Sequence, residues 1–179
     1  MYYINIATTG DAINFGNLTV ARSYLAACSN GERGVFGGGY GYPNTSLIEY
    51  VTIATTGNAI TFGNLTLARR YLAACSNGER GVFGGGYASD YTSLIDYVTI
   101  ATTGDAINFG NLTVARYYLA ACSNGERGVF GGGNLSGPTT SRIDYVTIAT
   151  TGDAINFGNL TVTRYRLAAC SNGERGVFG

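Results

Sequence analysis

Four arginines stand at matched positions of this chain, Arg22, Arg69, Arg116 and Arg164, each a few residues ahead of the run LAAC. Drawn together around an axis, such guanidinium groups could hold a carboxylate or a sulfate through charge-assisted hydrogen bonds. The alternative is structural, because the five donors of Arg also suit it to clamp backbone carbonyls. Cys28, Cys75, Cys122 and Cys170 recur in the same manner. Zinc would need paired Cys or His at short spacing, and that pattern is missing. A disulfide needs Cα atoms within about 7 Å, whereas equivalent positions of repeated units are usually held apart by the width of a unit. These cysteines are expected to be buried free thiols acting as small apolar side chains. The chain has no His, which removes Ser-His and Cys-His pairs and imidazole metal sites. Its acidic residues recur at equivalent positions of repeated units rather than in one asymmetric cluster. The chain is therefore expected not to be an enzyme and to carry no cofactor and no metal.

The alphabet around these residues is narrow. Lys, Trp and Gln are missing as well as His, and Arg supplies all 11 positive charges against 11 carboxylates. A neutral surface without lysine argues against nucleic-acid or membrane binding built on charge. No apolar run approaches the length of a transmembrane helix, and residues 1–15 lack the basic start and apolar core of a signal peptide. A virion-associated or cytoplasmic location fits these features. Glycine, at 28 residues, is more than double the usual share.

The elements that must position these groups follow from the repeat. Tyr3, Tyr50, Tyr97 and Tyr145 mark one register with spacings of 47, 47 and 48. A period of this size signals a solenoid, a propeller or an array. The runs YLAACS, RGVFGG, SLIDYVTIA and AINFGNL are β-branched, aromatic or small, and turn signals (SNGERG, TTGD, GGG) flank them. They read as four strands, A to D. Several are apolar at nearly every position, as strands buried on both faces are. The fold class is thus all-β: a single domain over 1–179, a propeller of four-stranded antiparallel blades, with units of about 47 residues at 3–49, 50–96, 97–144 and 145–179. Strands C and D at 2–18 and strands A and B at 166–179 are expected to complete one blade between them. The alternative is that the same segments pair between two chains, giving an eight-bladed ring. Triple glycines such as Gly37-Gly38-Gly39 then let strand B exit at positive φ where blades crowd at the axis.

The pattern resembles the kelch repeat. A strand ends in Gly37-Gly38, a variable loop follows, and an apolar strand carries Tyr50; an aromatic, Phe15, sits on strand D, and Arg22 stands in the short loop before the next unit. Kelch blades usually carry Trp on strand D, where this chain has Phe15, Phe62, Phe109 and Phe157. The wording of the units is also similar to repeat proteins of tailed-phage virions. That resemblance implies a virion structural or adhesion module.

Differences among the near-identical units fall in two places. The B–C connection reads YGYPNT at 40–45, YASDYT at 87–92 and NLSGPTT at 134–140; the start of strand A reads Ser23-Tyr24, Arg70-Tyr71, Tyr117-Tyr118 and Tyr165-Arg166. In a propeller both connections open on one face. Tyr, Ser, Gly and Asn dominate there, the palette of adaptable recognition surfaces. The candidate ligand-binding residues are Ser23, Tyr40, Tyr42, Asn44, Arg70, Tyr87, Asp90, Tyr91, Tyr117, Asn134, Leu135, Tyr165 and Arg166, and the candidate anion ring is Arg22, Arg69, Arg116 and Arg164. The expected partner is a glycan or protein on a host surface. Two alternatives stand beside it: a purely structural or constructed repeat protein without a ligand, and a sialidase- or lyase-type enzyme.

Overall fold

The computed structural model describes every residue from Met1 to Gly179 and contains strands, turns and bridges but no helix. In chain order the strands are β1 (Tyr2–Tyr3), β2 (Ile13–Asn14), β3 (Ala26–Ser29), β4 (Arg33–Gly37), β5 (Leu47–Thr52), β6 (Ile60–Asn64), β7 (Ala73–Ser76), β8 (Arg80–Gly84), β9 (Leu94–Thr99), β10 (Ile107–Asn111), β11 (Ala120–Ser123), β12 (Arg127–Gly131), β13 (Arg142–Thr147), β14 (Ile155–Asn159), β15 (Ala169–Ser171) and β16 (Gly176–Phe178). They form three four-stranded antiparallel sheets, β3–β6, β7–β10 and β11–β14, each a simple meander. We call these blades 1, 2 and 3. Two-stranded sheets, β1–β2 and β15–β16, accompany them.

The expected fourth blade is not formed within the chain. β1–β2 and β15–β16 remain separate sheets, so the intrachain closure expected from the sequence is corrected to two half-blades. β1 and β16 each pair on one side only, where the corresponding third and second strands of a full blade pair on both.

Blades stack by a repeated junction. The Phe of the last strand in one blade packs on the third-strand aliphatics and an Ala of the next. Phe15 lies with Val51 and Ala59, Phe62 with Val98, Ile100 and Ala106, and Phe109 with Val146, Ile148 and Ala154. Backbone bonds run beside these contacts: Gly57 N–H donates to the Phe15 carbonyl at 2.7 Å and Ala59 N–H to that of Asn17 at 2.8 Å, and the pair recurs at both later junctions. Asn58, Asp105 and Asp153 add a side-chain oxygen that accepts from the N–H of Asn17, Asn64 and Asn111. The TTGD turns are therefore the stitches between blades.

The first strands lie side by side across the blades. Ser76 Oγ donates to the Ser29 carbonyl at 2.6 Å, Ser123 to Ser76 at 2.6 Å and Ser171 to Ser123 at 2.5 Å. Crowding here explains the triple glycine. A Cβ on Gly84 would lie 2.7 Å from the Phe130 ring of the next blade, and Gly38, at φ +69°, would place one 2.6 Å from the Arg69 carbonyl.

A tyrosine and arginine face as candidate functional site

The two variable segments of each unit are joined to one another. Short antiparallel bridges tie Ser23 to Tyr40 and Tyr40 to Asn44, Arg70 to Tyr87 and Tyr87 to Tyr91, and Tyr117 to Asn134 and Asn134 to Thr139. Residues that differ between units are thus backbone neighbours, and each blade presents its own triplet of side chains on a common frame.

A second regularity was not visible in the sequence. Tyr24, Tyr71, Tyr118 and Arg166 occupy equivalent positions, and all adopt positive φ, at 59°, 60°, 58° and 58°. Only Gly and, less often, Asn or Asp visit this region without strain. The strain is held by a ladder between units: Tyr71 N–H donates to the Tyr24 carbonyl, Tyr118 to Tyr71 and Arg166 to Tyr118, each at 2.9 Å. The left-handed turn aims the four side chains towards one another. The Tyr24 and Tyr71 rings lie 4.5 Å apart and those of Tyr71 and Tyr118 4.0 Å. Tyr24 and Tyr118 are 6.5 Å apart, well short of the two steps added, so the rings curve around a centre instead of lying in a row.

Cations sit among these rings. The Arg70 guanidinium lies 4.6 Å from the Tyr40 ring, 5.0 Å from Tyr71 and 5.2 Å from Tyr87. Arg166 lies 4.7 Å from Tyr118 and 5.5 Å from Tyr165, and donates to the Tyr118 hydroxyl at 3.3 Å. That hydrogen bond pushes the Arg166 pKa up. Desolvation and the neighbouring Tyr118 hydroxyl push the Tyr71 phenol up to about 12, and burial likewise raises Tyr40. These two phenols remain protonated donors at neutral pH. Tyr91 stacks on Tyr117 at 5.1 Å, and the exposed Tyr42 lies 4.6 Å from Tyr40. Asn44 fastens one loop to the next: its amide donates to the Tyr87 and Ala88 carbonyls and its oxygen accepts from Arg70. Asp90 supplies the single carboxylate of the variable segments and accepts from the Tyr91 N–H.

Most of the ligand-binding residues expected from sequence therefore share this one surface. Asn134 accepts from the Thr139 hydroxyl, and Leu135 is half-buried in its own loop; neither joins the ring cluster.

The four matched arginines have a different setting. Arg22 meets Glu49 at 2.7 Å, Arg69 meets Asp96 at 2.7 Å and Arg116 meets Asp144 at 3.0 Å, with all six side chains sealed from solvent. Each guanidinium also donates to a second-strand carbonyl, Phe36, Phe83 or Phe130. Burial lowers the pKa of all three. Their charge is balanced inside a blade, so a free anion would have to displace a carboxylate. Arg164 is exposed. The carboxylates are the partners that sequence reasoning missed. The available signal was an acid inside the apolar run LIEYVT, because acids are almost never fully buried unless paired.

The opposite face is built from invariant turns with structural duties. The Asn30 oxygen accepts from the N–H groups of Glu32 and Arg33. Arg33 covers the Tyr50 ring at 4.6 Å and reaches the Ile100 and Ala101 carbonyls of the next blade. Arg80 does the same towards Ile148 and Ala149. The four Ala-Cys-Ser strands line an open cavity of about 240 Å³. All four cysteines are free, and no group of three or more metal-ligating side chains gathers anywhere in the chain.

No protein-family model matches the chain, and no curated protein matches it.

Proposed function

We propose that this chain is a non-enzymatic scaffold for binding and display, a kelch-like propeller of the kind used in virion structural and host-recognition proteins. Its working surface is the tyrosine and arginine face, and its partner is a glycan or protein on a host surface. One observation carries this: the two segments that vary between units are bridged together and converge on rings held by a strained ladder. Backbone strain that is retained in every unit, with bulky side chains where glycine would be free of cost, marks a surface whose side chains matter. Exposed tyrosines with two bound guanidiniums offer flat apolar faces and fixed donors, the combination that stacks on sugar rings and on protein side chains. The composition supports a non-catalytic role, since the buried carboxylates are held by arginine and no imidazole exists.

The test is a glycan array together with host-cell binding. Replacing Tyr42 and Tyr91 by Ala should weaken binding by about tenfold or more, in line with about 1.4 kcal/mol per tenfold. Binding that survives these changes but is lost when an SNGERG turn is altered would place the surface on the other face.

A further inference from the structure

Each internal junction has a socket on one blade and a plug on the next, and the two half-blades leave one of each unfilled. The socket lies on blade 3. Phe157 is 55% exposed, whereas its counterparts Phe15, Phe62 and Phe109 are 9%, 4% and 2% exposed. It lines an open cleft of about 660 Å³ with Ile143, Leu160, Val177 and Phe178. Arg127 covers Tyr145 as Arg33 covers Tyr50, yet it lacks the two carbonyls that Arg33 and Arg80 find on a following blade.

The plug is the β1–β2 hairpin. Counted from the repeat, Ile4 stands where Val51, Val98 and Val146 stand, and Ile6 where Ile53, Ile100 and Ile148 stand. Ile53, which faces the half-blade β1–β2 rather than a full blade, is 43% exposed. The other five, Val51, Val98, Val146, Ile100 and Ile148, are at most 7% exposed, while Ile4 and Ile6 are 59% and 95% exposed. Asp11 corresponds to Asn58, Asp105 and Asp153, the acceptors that stitch a blade to the one before. The strand edges match too. The pairing Gly34 to Val51, Val35 to Tyr50 and Phe36 to Glu49 predicts Gly176 opposite Ile4, Val177 opposite Tyr3 and Phe178 opposite Tyr2.

We infer that the blade 3 cleft receives the 1–18 hairpin of a second copy of this chain, and that the reciprocal insertion closes a two-chain ring with two completed blades. The chain's own hairpin does not occupy the cleft. It is seated on blade 1 through Phe15, and the serine relay that joins successive first strands stops at Ser29, which makes no such bond to Ser171. In the paired ring the Ser29 hydroxyl meets the partner's Ser171 carbonyl, and the exposed Cys170 packs over the partner's Gly34, as Cys28 packs over Gly81. One substitution weakens this seam. Tyr2 occupies the position of Glu49, Asp96 and Asp144, so Arg164 gains a phenol in place of a carboxylate.

Sedimentation equilibrium of the 18.7 kDa chain over a concentration series tests this. Mass should rise from one chain to two, with Cys170 labelling by a maleimide slowing as dimer forms. Ile4→Asp and Phe157→Asp, both at exposed positions of the single chain, should each weaken the dimer by about a hundredfold through burial of a charge while circular dichroism stays unchanged. Ile6→Asp serves if either variant fails to fold. Tyr2→Asp should tighten the dimer about tenfold or more by restoring the ion pair. A constant one-chain mass overturns the proposal; if Phe157→Asp then destabilises that monomer, the chain's own hairpin fills the cleft. Masses beyond two chains overturn the reciprocal closure.

Discussion

At the scale of single residues, the molecule places its charges where they hold strands and its bulky polar groups where they face solvent. The Arg69–Asp96 pair shows the first pattern. Arg69 uses Nε on the Gly85 carbonyl, one terminal nitrogen on Asp96 and the other on the Phe83 carbonyl. Asp96 in turn accepts from the backbone and hydroxyl of Thr66. Removing one member strands the other, and a lone buried charge costs about 3–5 kcal/mol. Asp96→Asn should lower unfolding free energy by about that amount in urea titrations. The double change Arg69→Met with Asp96→Leu should cost distinctly less, because no uncompensated charge remains. Equal losses for the two variants would mean that packing, and not charge, governs the site.

At the scale of elements, the first strand of each unit shows where sequence reasoning reached and where it stopped. The run YLAACS suggested a strand from its tyrosine onward, yet β7 begins at Ala73 because Tyr71 turns left-handed. Tyrosine favours extended backbone, so nothing local announces that turn; it exists because the ladder to Tyr24 and Tyr118 imposes it. The triple glycines, by contrast, were readable, since few other residues tolerate both the φ and the approach at Gly38. The B–C and D–A loops are legible as one surface through their shared variation, whereas their direct bridging follows from backbone pairing that no residue type announces. The buried carboxylates were hidden because their arginines lie 27 or 28 residues away in sequence. The ladder gives an element-level prediction. Tyr118→Gly relieves a left-handed conformation worth about 1–2 kcal/mol and loses ring stacking worth about 0.5–1.5 kcal/mol. Thermal and urea stability should therefore move by no more than about 1.5 kcal/mol, while the binding proposed for this face falls. A large destabilisation would assign this tyrosine to packing alone.

At the scale of the whole molecule, the sheets contact one another mainly between successive blades, so properties built across blades reveal the assembly. The cysteines are such a property. Cys28 faces Gly81 of the next blade, Cys75 faces Gly128 and Cys122 faces Gly176, which makes a thiol column through the stack. Burial pushes the Cys28 thiol from 9.0 up to about 12. Cys75 is raised by burial and then by Cys28 and Cys122, and Cys122 by burial and then Cys170. A thiol whose folded pKa exceeds its unfolded value favours the folded state fully below the unfolded pKa, and that contribution is lost as pH rises through the folded one. For Cys28 the window runs from about pH 9 to about pH 12. Urea midpoints should hold steady up to about pH 9 and fall progressively above it, and Cys75→Ala should flatten that slope even if it lowers the midpoint at neutral pH. At pH 8, and at dilutions where the single chain prevails, a thiol reagent should modify Cys170, which is exposed there, far faster than Cys28 or Cys75. Midpoints that stay flat to pH 11, or four thiols reacting at one rate, would show that the column is open to water and that the blades do not stack as tightly as the glycine contacts require.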